Sequence, residues 1–167
     1  MMSQAERLFV YGTLRPCLVD RAPESPRQLV RALPYLGVAT VCGRIFDLGA
    51  YPGFTFSEAT APTVDAEACM PRIVGDVLEV QAAELAVFDA YEECDGPAPL
   101  YRRERVQATW QASSEPVECW IYVYAGDPSH AVPIPEGDYA AYLARCHKGP
   151  RMASSSETKP AQDPKPL

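Results

Sequence analysis

The feature that most constrains the fold of this chain is a series of short β-type segments separated by Gly, Pro and polar residues. Each segment is rich in β-branched or aromatic residues, a composition that is typical of strands. Strands are predicted at 7–10, 38–47, 72–80, 102–110 and 117–124. Helical patterns occur at 81–93 and 137–146, and a shorter helix is expected near 28–33. Many short strands with few helices predict an α+β fold with a largely antiparallel, curved sheet.

The last two predicted strands have the composition of a β-hairpin. The polar residues 111–116 separate them, as expected of a turn. In the second strand, Trp120, Tyr122 and Tyr124 share one face, and smaller apolar residues share the other. We therefore expect this strand to be covered on both sides. Tyr122 is a candidate for a cavity wall, and ordinary packing with its hydroxyl at the surface is the alternative.

Glycine and proline positions indicate where the chain turns and where its folded part ends. Gly43, inside the predicted strand 38–47, indicates a bulge or a close approach of another backbone. The chain from 149 onwards has too few large apolar residues to offset the entropy lost on folding. We therefore predict one folded domain at 1–148 and a disordered tail at 149–167.

Composition and charge exclude several classes of function. A formal net charge of −7 argues against a nucleic-acid surface, because phosphate binding requires clustered Lys and Arg. No segment is long and apolar enough for a membrane span, and the first residues lack the apolar stretch of a signal peptide. The six cysteines are widely scattered without a C-x-x-C pair, so no zinc site is predicted. We expect a cytoplasmic protein with reduced thiols that binds neither nucleic acid nor membrane.

The first predicted strand ends in a turn that is suited to bind an anion. The strand runs directly into Tyr11, Gly12, Thr13, Leu14 and Arg15. Gly12 has no Cβ, which allows positive φ and a close approach of a ligand. Successive N–H groups at such a turn can form a nest for a carboxylate. A plain turn at the end of a strand is the alternative interpretation.

A second candidate site residue lies at the end of the predicted helix 81–93. Leu85, Phe88 and Glu92 are spaced at i, i+3 and i+7, which places them on one stripe of the helix. The residues expected to widen the apolar face are Val87 and Tyr91, and the acids expected to face solvent are Asp89 and Glu93. A desolvated Glu has a raised pKa, which suits it to exchange protons near neutral pH. An exposed Glu in a frayed last turn is the alternative.

Four motifs follow one another in an order that is informative as a set. They are Tyr11-Gly12-Thr13-Leu14-Arg15, the segment 43–53, Phe88-Asp89-Ala90-Tyr91-Glu92 and Tyr101-Arg102-Arg103. This set resembles the gamma-glutamyl cyclotransferase-like family, and the strands at 75–80 and 120–124 also match that family. The resemblance spans residues 8–124. It implies a small mixed, largely antiparallel β-barrel with a few short helices and a cavity at one end.

The resemblance also implies an activity and assigns roles to individual residues. It implies an enzyme without metal or cofactor that releases 5-oxoproline and a free amine from a small γ-glutamyl amide by intramolecular cyclisation. In this role Glu92 is the catalytic acid/base, and the substrate-binding turn consists of Tyr11, Gly12, Thr13 and Leu14. Glu93 occupies a position where the family commonly has Gly. A non-catalytic member of the same fold, which binds a small ligand or a protein, is the alternative function.

Overall fold

Eight strands and three α-helices build the part of the chain that the structure describes. The structure is a computed structural model, and it describes residues 4–56 and 71–147. The strands are β1 (Glu6–Val10), β2 (Tyr35–Cys42), β3 (Arg44–Asp47), β4 (Pro52–Thr55), β5 (Arg72–Val80), β6 (Tyr101–Trp110), β7 (Pro116–Tyr124) and β8 (Val132–Pro133). The helices are α1 (Glu24–Ala32), α2 (Ala82–Tyr91) and α3 (Tyr139–His147). The predicted tail 149–167 lies outside the described residues.

Five strands close into a barrel in the order β1-β5-β2-β6-β7. β1 is antiparallel to β5, with Val10 opposite Asp76 at the end of the pair. The barrel closes where β1 lies parallel to β7, with Leu8 opposite Trp120. The remaining barrel pairs are antiparallel. The predicted α+β fold with a small mixed, largely antiparallel barrel is therefore confirmed.

β7 shows how the strands fill the core of the barrel. Alternate residues from Val117 to Val123 are buried, as the two-residue period of a strand requires. Tyr122, which points to the opposite face, is buried as well. Its hydroxyl donates to the carboxylate of Asp89 in α2 at 2.9 Å, so the helix covers this outer side of the strand. The prediction that this strand is covered on both faces is confirmed at Tyr122, and its surface-hydroxyl alternative is wrong.

A second sheet of three short strands, in the order β4-β3-β8, contacts the barrel. The hydroxyl of Tyr101 in β6 donates to the carbonyl of Pro52 in β4 at 2.9 Å and joins the two sheets. The chain passes from one sheet to the other at Gly43, whose φ is 151° and where a Cβ would overlap the ring of Phe54. The predicted continuous strand 38–47 is therefore wrong, because Gly43 separates β2 from β3. The predicted close approach at Gly43 is confirmed.

α2 and α3 begin and end within two residues of their predicted bounds. α2 begins after Gln81, whose N–H donates to the Glu84 carboxylate at 2.6 Å and whose side chain accepts from the Glu84 N–H, a capping box. Leu85 and Phe88 are buried as predicted, whereas Val87 is 47% exposed, so the apolar face is narrower than expected. α1 is longer than the predicted helix near 28–33.

Within residues 4–56 and 71–147, no helix has the length and apolar character required to cross a membrane.

The described cysteines are mostly free thiols. Cys17, Cys94, Cys119 and Cys146 are free, whereas Cys42 is disulfide-bonded. The expectation of reduced thiols throughout is therefore wrong at Cys42. In the same described part of the chain, no three side chains of His, Cys, Asp or Glu converge as metal ligands would.

Candidate active site

The turn after β1 is buried and has polar groups that make no hydrogen bond within the described chain. Tyr11, Gly12, Thr13 and Leu14 are all buried. The N–H of Arg15 donates to the carbonyl of Gly12 at 3.0 Å and closes the turn. Within residues 4–56 and 71–147, the N–H groups of residues 12–14 donate to no acceptor, and the Thr13 Oγ1 is buried without a partner. Because buried polar groups are normally hydrogen-bonded, this turn is suited to a ligand with several acceptor oxygens.

Gly12 does not use the conformational freedom that was expected of it. Among the described residues, the glycines with positive φ are Gly37, Gly43, Gly49, Gly96 and Gly137. Positive φ is therefore the wrong reason for a glycine at position 12. A close approach of a ligand, the other expected reason, stays a prediction.

The side chain of Tyr11 ties the turn to two neighbouring strands. Its hydroxyl donates to the carbonyl of Tyr122 at 2.7 Å and accepts from the N–H of Phe54 at 3.1 Å. Burial, and after it the charge of Glu92, raises the pKa of Tyr11 well above its usual value. The phenol is therefore neutral near pH 7, and both of its hydrogen bonds serve to position the turn.

Glu92 directly follows the last residue of α2 and is its C-cap. Its N–H donates to the carbonyl of Phe88 at 2.8 Å, and the residue is 0% exposed. It lies on the same face as the buried Leu85 and Phe88, as the helical spacing predicts. The alternative of an exposed Glu in a frayed turn is therefore wrong.

The chain reverses direction immediately after Glu92. Glu93 has a φ of 54°, in the left-handed region. Its N–H donates to the carbonyl of Ala90 at 3.4 Å, and the N–H of Cys94 donates to the carbonyl of Asp89 at 3.0 Å. These two bonds form a Schellman motif, in which the left-handed position is usually Gly. The motif accounts for the Gly that the resemblance implies at this position, and it leaves Glu93 exposed, as predicted.

Glu92 acts electrostatically on three buried tyrosines from different parts of the barrel. Its charge raises the pKa of Tyr11, Tyr101 and Tyr122, in each case after burial as the largest cause. Tyr11 contributes more than Glu92 does to the raised pKa of Tyr101. Asp89 contributes more than Glu92 does to that of Tyr122. The structure therefore brings together the end of α2 and the turn after β1, which are far apart in the sequence. The phenol groups near Glu92 are neutral near pH 7.

Asp89 belongs to the surroundings of this site, contrary to the expectation that it faces solvent. Its Oδ1 accepts from the Tyr122 hydroxyl and lies 3.4 Å from Nε of Arg103. Its side chain is only 23% exposed. The expectation was wrong because β6 and β7 cover this side of α2 and supply Asp89 with partners. Asp89 thereby fixes the last turn of the helix that carries Glu92.

Sequence patterns did not indicate the ion pairs that support the turn after β1. Arg15 Nε lies 2.8 Å from Oδ2 of Asp76, and Arg15 Nη1 lies 3.0 Å from Oδ1 of Asp138. In the described part of the chain, the buried polar or charged residues are Thr13, Arg15, Asp76 and Glu92. All four lie at the turn, in its support or at the end of α2. An acid inside an apolar strand is the sequence signal that would have indicated Asp76.

Two surface clefts are bounded by described residues. One, of about 280 Å³, is lined by Arg44, Arg72 and Ile134 among others. The second, of about 210 Å³, is lined by residues that include Pro16 and Tyr35. Neither is lined by Glu92, so a cavity at that carboxyl stays a prediction.

Comparisons with known proteins identify the family of this chain. The family described as "Gamma-glutamyl cyclotransferase, AIG2-like" matches residues 8–141. A gamma-glutamylaminecyclotransferase from Bos taurus is 29% identical over 129 residues, which cover 77% of this chain and 71% of that protein.

Two solved structures have a similar fold. An AIG2-like protein from Mus musculus has a TM-score of 0.60 at 18% identity and covers 81% of this chain and 88% of its own. YkqA from Bacillus subtilis has a TM-score of 0.61 at 19% identity over 86% of this chain, which spans only 43% of the length of YkqA. At these identities the two structures show the fold alone. The family match covers most of the folded chain, and the protein therefore belongs to the gamma-glutamyl cyclotransferase, AIG2-like family.

Proposed function

We propose that this protein is an enzyme that converts a small γ-glutamyl amide into 5-oxoproline and a free amine. The observation that carries the proposal is the fully buried Glu92, whose charge acts on Tyr11 beside the turn after β1. Removing a carboxylate from water costs free energy. A proton-transfer role in a site that excludes water explains why the chain keeps a carboxyl there. The name of the Bos taurus relative supports the same class of reaction.

The substrate supplies its own nucleophile in this reaction. The α-amino nitrogen of the glutamyl unit attacks the γ-carbonyl carbon and forms the new C–N bond of a five-membered lactam. The original amide C–N bond breaks, and its electron pair leaves with the amine. Because both reacting groups belong to one molecule, the protein accelerates the reaction by holding the substrate bent and by moving protons.

Glu92 is assigned both proton transfers. As a general base, its carboxylate takes a proton from the α-ammonium group, which must be neutral before it can attack. As a general acid, it then gives this proton to the departing amine, and the second proton that the attacking nitrogen loses as the lactam forms passes to solvent. The surrounding hydroxyls are already engaged: that of Tyr101 donates to Pro52, and that of Tyr122 donates to Asp89. These phenols therefore shape the site and do not exchange protons.

The turn after β1 is assigned to the glutamyl end of the substrate. The N–H groups of residues 12–14 and the Thr13 hydroxyl have no partner within the described residues. Such a set of donors suits the α-carboxylate, or the oxyanion that develops on the γ-carbonyl oxygen. A charged side chain is not required, and the neighbouring Arg15 is engaged by Asp76.

A non-catalytic binding protein of the same fold is the second candidate function. The buried carboxyl of Glu92 favours the enzyme, because a binding cavity gains little from a group that is costly to desolvate. The deciding experiment measures 5-oxoproline release from γ-glutamyl amino acids, glutathione, a γ-glutamyl-lysine isopeptide and γ-glutamyl compounds with other amines. We expect release from at least one of these, and its loss in Glu92→Gln. Binding of 5-oxoproline without any release would favour the binding protein.

A further inference from the structure

We propose that Arg15 is a positioning residue for the substrate-binding turn. Its two ion pairs hold the N–H groups of residues 12–14 in the orientation that binds the glutamyl carboxylate. The consequences for catalysis rest on the proposed function, whereas the consequences for the turn itself do not.

The backbone of Arg15 fixes the turn at its end. Its N–H donates to the carbonyl of Gly12 at 3.0 Å, and its carbonyl accepts from the N–H of Leu18 at 2.8 Å. The peptide units on both sides of Arg15 are therefore held. A displacement of Arg15 would move Gly12 and the donors that follow it.

The side chain of Arg15 joins the turn to three other elements. Nε is paired with Asp76 of β5 at 2.8 Å, and Nη1 is paired with Asp138, which directly precedes α3, at 3.0 Å. The other oxygen of Asp76 accepts from the hydroxyl of Tyr35 in β2 at 2.9 Å. Asp138 Oδ1 also accepts from the N–H of Ala141 in the first turn of α3. One guanidinium thus anchors the turn to β2, β5 and α3.

The ion pair between Arg15 and Asp76 is buried. Arg15 is 7% exposed and Asp76 is 5% exposed. A charge pair that is removed from water is screened little by salt, and either partner without the other is strongly unfavourable. Asp76 lies opposite Val10 in the pairing of β1 with β5, next to the point where the turn begins. Because two of its nitrogens are occupied by carboxylates, Arg15 acts through the turn and not on the reacting atoms.

The test compares three variants of the full chain with one control. Arg15→Met removes both ion pairs and keeps an apolar stem, and Arg15→Lys keeps the charge without the two directed bonds. Asp138→Asn removes one pair and retains an oxygen that can accept from Ala141. Val117→Ala is the control, because it truncates a buried side chain near the start of β7, away from the turn. It shows what a loss of stability alone does to the turn.

Two measurements are made on each variant. In steady-state 5-oxoproline release, Arg15→Met should raise KM about tenfold or more with kcat within about threefold of native, because a lost binding contact acts on substrate and transition state alike. The backbone ¹⁵N order parameters of residues 12–14 should fall from above about 0.8 to below about 0.6. Arg15→Lys and Asp138→Asn should also raise KM and lower these order parameters, but by less than Arg15→Met does. Val117→Ala should change neither KM nor the order parameters.

The outcomes separate this proposal from the proposed function. Native KM and native order parameters in Arg15→Met, with a lower melting temperature, would show that Arg15 only stabilises the fold and would overturn the proposal. A fall in kcat at native KM would also overturn it. If the native protein releases no 5-oxoproline, the proposed function fails, and the order parameters still decide whether Arg15 holds the turn. If Arg15→Met does not fold, Arg15→Lys and Asp138→Asn provide both measurements.

Discussion

Glu92 and Glu93 are adjacent in the chain and lie in opposite environments. Glu92 is 0% exposed at the end of α2, whereas Glu93 is exposed with a φ of 54°. The left-handed conformation of the second residue turns the chain away from the helix axis. Helical spacing places the first carboxyl on the core side, and the turn that follows leaves the second residue exposed. Of these two acids, the proposed proton transfer is therefore assigned to Glu92.

Replacing Glu92 with Gln should lower the rate of 5-oxoproline formation by about two orders of magnitude or more, because the amide cannot exchange a proton. Glu93→Gln is the matched control, and its rate should stay close to native since Glu93 is exposed. Both rates are measured on the full chain with the best substrate of the panel. A larger loss in the Glu93 variant would show that the wrong acid has been assigned.

Replacing Glu93 with Gly should stabilise the protein. A residue with a Cβ is strained in the left-handed conformation by about 1 kcal/mol, and Gly is not. For a domain of this size, that gain corresponds to a rise in melting temperature of about 2–4 °C. Glu93→Ala removes the same carboxyl and keeps a Cβ, so thermal unfolding should show no comparable rise. Equal melting temperatures for the Gly and Ala variants would contradict the role given to φ.

Replacing Thr13 with Val should separate binding from stability. The Thr13 Oγ1 is buried without a partner in the described chain, so its loss should leave the melting temperature unchanged or raised. If the hydroxyl binds substrate, KM should rise about tenfold. Thr13→Ser retains the hydroxyl and should keep a KM near native. A clear drop in melting temperature for the Val variant would mean that the hydroxyl already serves the fold.

The stability of the protein should fall as the pH rises above about 8.5, the usual pKa of a thiol in an unfolded chain. Burial raises the pKa of Cys119 to about 12. Between these two values the unfolded chain loses the proton while the folded protein keeps it, so the unfolded state is favoured as the pH rises. Buried tyrosines with raised pKa values add to the same trend at higher pH.

The variant Cys119→Ala measures how much of this pH dependence of stability comes from the Cys119 thiol. The free energy of unfolding in urea is measured at pH 7.5 and 10.5, and its decrease should be smaller in the variant by about 2–3 kcal/mol. Cys17→Ala is the control, because an exposed thiol is in water in both states. An identical decrease in Cys119→Ala and in the native protein would contradict the prediction.

The inward orientation of Glu92 could be predicted because it depends on helix geometry alone. Leu85, Phe88 and Glu92 share a stripe in any α-helix of this sequence. The environments of Val87 and Asp89 could not be predicted in this way. They depend on which strands cover the flanks of α2, and that follows from the arrangement of the whole barrel.

The ion pair that supports the turn after β1 could not be predicted from sequence patterns, for the same reason. Arg15 and Asp76 are 61 residues apart, and their contact exists only because β5 lies beside β1. The sequence pattern predicts a bulge or a close approach at Gly43. A glycine inside a β-type segment is compatible with both a bulge and a break, so the change of sheet could not be derived from it.

The closure of the barrel between Leu8 and Trp120 has a consequence for how the protein is made. During synthesis β1 emerges well before its parallel partner β7, because five described strands lie between them in the chain. Pairing such distant segments carries a high entropic cost, and folds dominated by distant contacts form slowly. The hydroxyl of Tyr11 meets the carbonyl of Tyr122 only when that closure is complete. The turn after β1 is therefore synthesised well before β7 and reaches its native conformation only after β7 has paired, and nascent chains that end before β7 should be inactive.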